Sequence, residues 1–450
     1  MRAGSTGWKS IPTPGAPRLN EKSHLVLGGC GVPELAEIYG TPLHVVDTSI
    51  LRDSYRRFLA AFRAHCPRVE LFCSYKTNCI PGVLKLLHEA GCGAEVVSPY
   101  ELWLAVKLGV PPSSIIYNGP NKSIESLREA VALSVGLINL DSQPEIDRLI
   151  EASAGAPQPV KVGLRICPGS GSTSQFGFEP HADTVVKMIR TLEDTGRVRV
   201  CALHAHIGSG IKSLRSYRDS VESLCLMARE IKRRLNREIE IFDLGGGFGV
   251  PTVKILTVRE VALYKLFNIP PRQPRSADCP SPETFGKVLS DALHQGCTAH
   301  GLKEPALRIE PGRALTSSAQ TLLVRVRELK RRRSGKTFAM TDGGMQNIAF
   351  PLSYEYHECL LASGAEGRPR RRYFVTGPLC SIEDILYRNW KLPELKEGDI
   401  LAIMDAGAYF TSFANNFSFP RPAVVAVSNG THTVLRRRET FNHMSAVDEF

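Results

Sequence analysis

From about residue 70 to residue 310 the chain alternates short apolar runs with longer amphipathic stretches. The apolar runs have the length of buried strands, and the stretches between them space apolar residues three and four positions apart, as helices do. The predicted strands are residues 70–75, 94–98, 115–118, 137–141, 160–166, 201–207, 239–244 and 306–310. The predicted helices include residues 81–90, 101–107, 124–133, 143–152, 182–193 and 216–236. Eight strand–helix repeats favour an α/β fold built as a (β/α)8 TIM-like barrel, with a doubly wound open sheet as the competing architecture.

The pattern changes at two places. Residues 256–281 interrupt the alternation with a helical stretch at 258–267 and a proline-rich run, which indicates an insertion or a long loop. From about residue 315, short alternating runs rich in β-branched residues predict a C-terminal all-β domain. Its predicted strands are residues 321–328, 337–341, 371–376, 400–405, 423–427 and 431–437.

These patterns predict three regions. Residues 1–40 form a lead that we expect to be partly disordered. Residues 41–315 form the barrel, and this region opens with a strand at 42–47 and a helix at 49–65. Residues 316–450 form the β-domain.

Composition narrows the class of protein. The chain has 450 residues, 43% hydrophobic and 22% charged, which is typical of a globular protein with more than one domain. No run approaches the roughly 18 apolar residues of a membrane helix, and the first 20 residues lack the apolar core of a secretory signal. The twelve cysteines show no metal-binding spacing, so we expect reduced thiols in a cytoplasmic protein.

The formal net charge is +11, with basic clusters such as Lys330-Arg331-Arg332-Arg333. No nucleic-acid-binding motif accompanies these clusters, so we interpret them as solvated loop and strand-end charges. We therefore expect neither a nucleic-acid nor a membrane partner, and at most a mild preference for anionic ligands.

The first predicted strand of the barrel ends on Lys76. A lysine at the inner end of a buried strand is costly unless it is paired or covalently used. It could reach solvent along the rim, or its amine could form a Schiff base with a carbonyl substrate or with pyridoxal phosphate. The lysine alone does not decide between these interpretations.

Two later strand ends carry groups suited to a phosphate. The seventh ends in Asp243-Leu244-Gly245-Gly246-Gly247, and consecutive glycines let backbone N–H groups approach a phosphate without side-chain clash. The eighth ends in Glu310-Pro311-Gly312-Arg313, which joins a carboxylate, a fixed turn and a guanidinium. A plain turn and a structural ion pair are the alternatives at these two places. In a barrel, loops seven and eight are the usual phosphate site.

The sixth strand ends in His204-Ala205-His206, followed by Ile207-Gly208-Ser209-Gly210. Histidines two positions apart face the same side of a strand and could suggest zinc, but no third ligand has a convincing spacing. An imidazole over a planar cofactor, with Ser209 near a phosphate, is the better interpretation. We predict no metal site.

Six motifs in this order carry a resemblance that spans residues 41–419. They are Lys76-Thr77-Asn78, His206-Ile207-Gly208-Ser209-Gly210, Gly245-Gly246-Gly247, Glu310-Pro311-Gly312-Arg313, Gly377-Pro378-Leu379-Cys380 and Ala406-Gly407-Ala408-Tyr409. Together they resemble the fold-type III, pyridoxal-phosphate-dependent amino-acid decarboxylases of the ornithine/diaminopimelate family. The resemblance implies pyridoxal phosphate as cofactor, and a lead that joins the β-domain.

The resemblance also implies a role for each cofactor-binding residue. Lys76 would bind the cofactor covalently, with Glu95 beside it, and His206 would stack on the ring. Glu310 would meet the pyridine nitrogen and keep it protonated, which makes the ring a better electron acceptor. Arg165 would anchor this network. The phosphate would be surrounded by Ser209, Gly245, Gly246, Gly247, Gly312, Arg313 and Tyr409.

Other implied roles concern the substrate and a second subunit. Cys380 resembles the cysteine that crosses a dimer interface and returns a proton to the substrate. Asp384 resembles an acidic residue that meets the distal amine of the substrate, with Glu383 and Tyr354 as further substrate residues. Active sites shared in this way imply a homodimer.

The sequence departs from the diaminopimelate enzymes in the substrate pocket. Phe350 stands where they have an arginine, Ser381 where they have a glutamate, and Gln175 where a lysine is usual. Losing such charge-assisted contacts costs on the order of 2–5 kcal/mol. We therefore expect another small-molecule amino acid as substrate, either of the lysine or ornithine type or a siderophore- or antibiotic-pathway intermediate, and possible conjugation to a carrier stays open.

A racemase and a catalytically silent binding protein are the two alternative functions. A racemase of the same fold usually sets an arginine against the pyridine nitrogen, so Glu310 disfavours it. A catalytically silent binding protein would be expected to lose the lysine, the glycines or Cys380, and all of these are present.

Overall fold

The computed structural model describes residues 18–20, 24–156, 158–167, 174–348, 351–363 and 370–449. Half of the predicted lead, residues 1–17 and 21–23, therefore lies outside the described residues. The chain divides into two compact units, which we describe separately. One comprises Arg52–Val250 and Cys279–Leu315, and the other comprises the described residues up to Leu51 together with Pro251–Asp278 and the chain from Thr316 onward.

The first unit is a closed barrel of eight parallel strands, each paired with its sequence neighbours, and the last paired with the first. The strands are Val69–Ser74, Gly93–Val96, Ile115–Tyr117, Leu137–Leu140, Val160–Arg165, Val198–His204, Ile241–Asp243 and Ala306–Ile309. The helices are Thr48–Arg63, which begins before this unit, and Pro81–Glu89, Pro99–Lys107, Ile124–Ala132, Gln143–Ala152, Ala182–Glu193, Leu214–Leu235, Pro282–Ala299 and Arg313–Thr316. Short 3-10 turns lie at Tyr75–Thr77, Pro112–Ser114 and Ser153–Gly155. All eight predicted strands are present, so the barrel is confirmed and the open sheet was wrong.

Local sequence explains how these elements begin and pack. Four helices start after a serine whose hydroxyl accepts the N–H three residues later, which satisfies one free donor of the first turn. These serines are Ser98, Ser123, Ser213 and Ser281. Inside the barrel, Phe72 and Ile116 pack with Leu137 in a buried cluster. Gly93 makes room for this cluster, because a Cβ atom there would lie 2.5 Å from the Phe72 ring.

The second unit is built on a nine-stranded sheet, with two separate core clusters. Seven strands follow in the order Ile385–Leu392, Arg371–Thr376, Thr337–Thr341, Gln320–Arg331, Leu43–Asp47, Ala423–Ser428 and Thr431–Arg436. Ile400–Ile403 joins Gln320–Arg331 to Cys359–Leu361. Smaller sheets comprise Arg18–Leu19 with Leu25–Leu27 and Cys30–Gly31, and Lys254–Ile255 with Glu355–Tyr356. The helices are Val32–Tyr39, Val258–Phe267, Met345–Ile348, Pro351–Tyr354 and Phe441–Met444, with 3-10 turns at Ser276–Asp278 and Ser317–Ala319.

Two parts of the predicted barrel region belong to this second unit. Leu43–Asp47 pairs antiparallel with Gln320–Arg331 and parallel with Ala423–Ser428, so the expected boundary at residue 41 was wrong. A strand covered on both faces is a continuous apolar run in either architecture, so its sequence could not tell the two apart. The interrupting segment also packs here, where the hydroxyl oxygen of Tyr264 accepts the N–H of Arg388 at 2.9 Å.

Within the described ranges, no helix has the length and apolarity needed to cross a bilayer.

Candidate active site

Lys76 lies on the 3-10 turn that follows the first barrel strand. Its Nζ atom lies 2.7 Å from Oε2 and 2.9 Å from Oε1 of Glu95. The lysine side chain is 38% exposed, whereas that of Glu95 is fully buried. The amine is therefore paired on one side and still reachable from the C-terminal end of the barrel.

Glu95 is held as an anion by its neighbours. The hydroxyl of Ser74 donates to Oε2, and Nδ2 of Asn118 donates to Oε1 at 3.0 Å. Burial alone would raise the pKa of Glu95, but the Lys76 ammonium and these hydrogen bonds outweigh it and lower that pKa. The lysine and glutamate thus form a charged pair at the wall of the barrel.

Glu310 and Asp243 form a second pair, in which both residues are acidic, at the ends of the eighth and seventh strands. Both are buried, and Oε1 of Glu310 accepts from Nδ2 of Asn118 at 2.6 Å. Burial, then Asp243 and Glu95, raises the pKa of Glu310 well above its ordinary value. Burial also raises the pKa of Asp243 to about 6, although the N–H of Gly245 donates to it at 3.0 Å. Near neutral pH this pair therefore retains a proton.

This retained proton predicts how the cofactor-free protein responds to pH. Because folding raises the pKa of Asp243 from 3.8 to about 6, the folded state binds the proton more tightly than the unfolded chain. Stability from this group is complete below about pH 4 and falls as pH rises through about 6, by about 1 kcal/mol between pH 5 and 7. Asp243→Asn should flatten this part of the profile in urea unfolding. Equal slopes in the wild type and the variant would contradict the prediction, and exposed Asp53→Asn is the control.

His206 is half-buried over the same space. Burial, then Lys76 and Arg165, lowers the pKa of His206 to about 4, so its ring is neutral at physiological pH. Its Nδ1 atom accepts the N–H of Gly246 at 3.2 Å, which leaves the ring hydrogen on Nε2. The imidazole is therefore a neutral aromatic ring at the C-terminal end of the barrel.

His204 raises the alternative of a metal site in this region. Ligand atoms of His204, His206 and Glu310 lie within 4.8 Å of one another, which is close enough for a metal ion. However, Nδ1 of His206 already accepts the N–H of Gly246, and burial, together with the positive charges of Arg165 and Lys76, lowers the pKa of both histidines. A positive potential that disfavours imidazolium also disfavours a metal cation. The donor set therefore suits a planar ring better than a metal.

The glycine loop forms a close-packed cradle. A Cβ atom at Gly246 would lie 2.2 Å from the carbonyl oxygen of Glu310, and one at Gly247 would lie 2.1 Å from that of Gly208. Gly247 also has φ +82°, which few other residues adopt. Nearby, buried Arg313 opens the short helix Arg313–Thr316. Bare backbone beside a guanidinium fits the phosphate of pyridoxal phosphate. The amine of Lys76 fits the carbonyl group of that cofactor, and the carboxyl group of Glu310, whose pKa is raised, fits its ring nitrogen.

Arg165 ends the fifth strand and joins this network at one edge. Its Nη1 atom donates to Oδ1 of Asp141 at 3.2 Å, and its guanidinium lies 4.6 Å from the centre of the Phe176 ring. Gln175 beside that ring is exposed. Arg165 therefore anchors the loop after its strand.

Five predicted site residues lie in the second unit, namely Cys380, Glu383, Asp384, Tyr354 and Tyr409. Asp384 is 3% exposed, and its carboxylate accepts the N–H of Met345 at 2.7 Å and that of Leu379 at 2.6 Å. Both oxygens thus hold the turn that carries Cys380, and the substrate role of Asp384 stays a prediction. Glu383 and Cys380 are exposed on the same turn. Of the two acids, Glu383 is the one a ligand can reach.

Tyr354 and Tyr409 also lie in this unit. Tyr354 is 45% exposed, and Nζ of Lys265 lies 5.2 Å from the centre of its ring. The N–H of Leu256 donates to the carbonyl oxygen of Tyr354 at 2.7 Å, so the interrupting segment is fastened beside this residue. Tyr409 is half-buried with φ +69°. Phe350 lies outside the described residues.

Sequence reasoning missed two asparagines that connect the acidic groups. Nδ2 of Asn139 donates to Oδ1 of Asn118 at 2.8 Å and to Oδ2 of Asp243 at 3.1 Å. Asn118 in turn joins Glu95 to Glu310. A signal was available, because both asparagines lie at the C-terminal ends of predicted strands, where barrel function concentrates.

Comparison with known proteins places this geometry among relatives. The family described as "Pyridoxal-dependent decarboxylase, pyridoxal binding domain" matches residues 52–317. The diaminopimelate decarboxylase of Methanothermobacter thermautotrophicus is 34% identical over 442 residues, which are 95% of this chain and 96% of that protein. The diaminopimelate decarboxylase of Bacillus subtilis is 30% identical, over 96% of this chain and 97% of that protein.

Solved structures agree with the sequence relatives. The crystal structure of diaminopimelate decarboxylase from M. jannaschii is similar with a TM-score of 0.85 and 26% identity, over 96% of this chain and 98% of that one. The lysine/ornithine decarboxylase of Vibrio vulnificus has a TM-score of 0.72 at 22% identity, over 88% of this chain and 97% of that one, and shows the shared fold.

Proposed function

Since the chain belongs to the family of pyridoxal-dependent decarboxylases, we propose that it decarboxylates an amino acid whose distal end differs from that of meso-diaminopimelate. The observation that carries the proposal is the turn after Gly377, which exposes Cys380 and Glu383 and has Ser381 between them. A serine offers a hydroxyl where the diaminopimelate family uses a carboxylate. Such a pocket favours a substrate of the lysine or ornithine type, or an intermediate conjugated through its distal end.

Pyridoxal phosphate supplies the electron acceptor for the pair released when the bond from Cα to the carboxylate breaks. In the proposed arrangement Lys76 would bind the cofactor covalently, Glu310 would meet its ring nitrogen and His206 would lie against its ring. The glycine loop and Arg313 hold its phosphate. The charges of Lys76, Glu310 and Arg313, and the bare backbone of the glycine loop, support these assignments.

The protonation states of the barrel residues suit this task. Glu310 has a raised pKa, so it brings a proton that it can hold at a ring nitrogen. His206 has a lowered pKa and stays neutral, so it adds no positive charge that would stabilise the substrate carboxylate before it leaves. Glu95 keeps positive charge at the Lys76 amine.

Cys380 is proposed to return a proton to the substrate carbon, from a neighbouring copy of the chain. The turn that carries it is tipped by Ile382, whose side chain is 87% exposed. A second copy of the chain that received this turn would bury that side chain together with Cys380. We therefore propose a homodimer in which each copy supplies this turn to the other.

A substrate panel tests the proposal. Purified protein with pyridoxal phosphate would be given meso-diaminopimelate, both enantiomers of lysine and of ornithine, arginine and glutamate, and CO2 release would be measured. The chain lacks the charge-assisted contacts to the distal end of diaminopimelate, worth about 2–5 kcal/mol, because Phe350 and Ser381 replace an arginine and a glutamate. We therefore expect kcat/KM for diaminopimelate to be about 30- to 4,000-fold below that for the preferred substrate. Ser381→Glu should narrow this gap. A wild-type enzyme that prefers diaminopimelate would contradict the proposal.

A further inference from the structure

A buried lysine follows the third barrel strand and has no role in the site described so far. The side chain of Lys122 is 1% exposed. Its Nζ atom donates to the backbone carbonyl oxygens of Gly119 and Asn139, each at 2.7 Å. Oε2 of Glu145 lies 3.2 Å away. Protein acceptors therefore surround the ammonium in place of water.

Glu145 extends this contact to a second loop. It is fully buried at the start of helix Gln143–Ala152. Its Oε1 atom accepts the N–H of Lys122, and its Oε2 atom accepts the N–H of Asp141, both at 2.8 Å. The lysine and glutamate together fasten the loop after the third strand to the loop after the fourth.

The amides that connect the acidic groups of the site lie beside these two loops, Asn118 in the first loop and Asn139 in the strand before the second. Asn118 lies one residue before Gly119, and it donates to both Glu95 and Glu310. Asn139 provides one of the carbonyl oxygens that Lys122 binds, while its side chain donates to Asn118. A shift of Lys122 would therefore disturb both asparagines, and with them the Asn118 amide that joins Glu95 to Glu310.

We propose that Lys122 is a positioning residue for the decarboxylase site, which acts by holding Asn118 and Asn139 in register. It touches neither cofactor nor substrate in this role. The proposal rests on the roles given above to Lys76 and Glu310, and it is independent of which amino acid is the substrate.

Lysine suits this position because the acceptors lie around one point. A compact ammonium can donate in three directions, whereas the flat guanidinium of arginine is larger and has its donors in one plane. Methionine would fill a similar volume but would take the ammonium away from two buried carbonyl oxygens and from the Glu145 carboxylate, which would keep only its two backbone N–H donors. Charge and shape are therefore both required.

The test uses cofactor binding and spectra of the holoenzyme, with no substrate. Lys122→Met should weaken pyridoxal phosphate affinity at least tenfold. It should also raise the pH midpoint of the cofactor's visible absorbance by more than 0.5 unit, because Glu95 loses the Asn118 hydrogen bond and holds positive charge at Lys76 more firmly. Lys122→Arg, which keeps the charge, should show the same weakening. Normal affinity in the arginine variant would mean that charge alone matters, and would overturn positioning.

Two controls separate positioning from general stability. Leu149→Ala removes a fully buried side chain from the helix that carries Glu145, outside the hydrogen-bond chain. It should lower the unfolding temperature. The affinity for pyridoxal phosphate should stay within twofold of the wild type, and the pH midpoint of the visible absorbance should not change. In an Asn118→Ala background, Lys122→Met should add less than a twofold further loss.

The outcomes are distinct. If Lys122→Met behaves like Leu149→Ala, or if its effect is unchanged without Asn118, the proposal is overturned. Should Lys122→Met fail to fold, Glu145→Gln gives the same readouts with one backbone contact retained. Absence of a lysine-linked absorbance band in the wild type would instead contradict the role of Lys76.

Discussion

Replacing Lys76 with alanine should reduce kcat for CO2 release at least about 10³-fold, within the range that one nucleophilic or proton-transferring group contributes. The reason is that Lys76 offers the paired, reachable amine at the C-terminal end of the barrel, 2.7 Å from Glu95. After borohydride reduction, mass spectrometry should find the cofactor on the peptide that contains Lys76 in the wild type, and on no peptide of the variant.

The control for this prediction is Lys76→Arg. Alanine leaves Glu95 buried without its countercharge, and breaking a buried pair in this way costs about 3–5 kcal/mol. Arginine keeps a positive charge beside Glu95 but cannot form a Schiff base. We expect this variant to be folded and inactive. Covalent cofactor and CO2 release in Lys76→Ala would show that another residue holds the cofactor.

Replacing Glu310 with glutamine should lower kcat by about 10²- to 10³-fold, the usual effect of removing one group that stabilises developing charge. Glutamine cannot hold a proton at a ring nitrogen. The cofactor-free variant should nevertheless be as stable as the wild type or more stable. Steady-state kinetics and thermal unfolding at pH 6 and pH 8 measure the two effects.

The direction of the stability effect follows from the pKa of Glu310, which burial raises well above its ordinary value. The folded state therefore holds the proton more tightly than the unfolded chain, and stability falls as pH rises toward the folded pKa. Glutamine does not titrate, so the variant does not lose stability in this way. Its stability relative to the wild type should therefore be higher at pH 8 than at pH 6. Glu70→Gln, at the other end of the barrel and 57% exposed, should leave kcat unchanged. Parallel loss of activity and stability in Glu310→Gln would indicate a structural role.

The barrel was predictable because its strands carry a strong local pattern. Strand 137–140 is buried throughout and is bounded by polar turns, so its position follows from its own residues. The strand Leu43–Asp47 has the same pattern but pairs in the other unit. Apolar runs specify burial, and only pairing with distant segments specifies which sheet a run joins. Strand Ile385–Leu392 was missed because charged and polar residues interrupt its alternation.

The site was predictable to the level of residue type and strand end. Lys76, His206 and Glu310 follow the first, sixth and eighth barrel strands, and parallel strands bring their C-terminal ends to one side of the barrel. The sequence did not reveal that Asn118 joins Glu95 to Glu310. Nor did it reveal that Asp384 turns inward to hold its own loop. These outcomes depend on which donor lies nearest after folding.

By itself, then, the sequence determined the order of the elements, the side of the barrel that carries chemistry and the kinds of groups found there. These follow from periodicity and turn chemistry, which act over a few neighbouring residues. The tertiary structure alone decided the protonation states of Glu310 and His206, and the buried contact of Lys122 with Glu145. Burial and charge pairing depend on residues tens to hundreds of positions apart, so no local pattern records them.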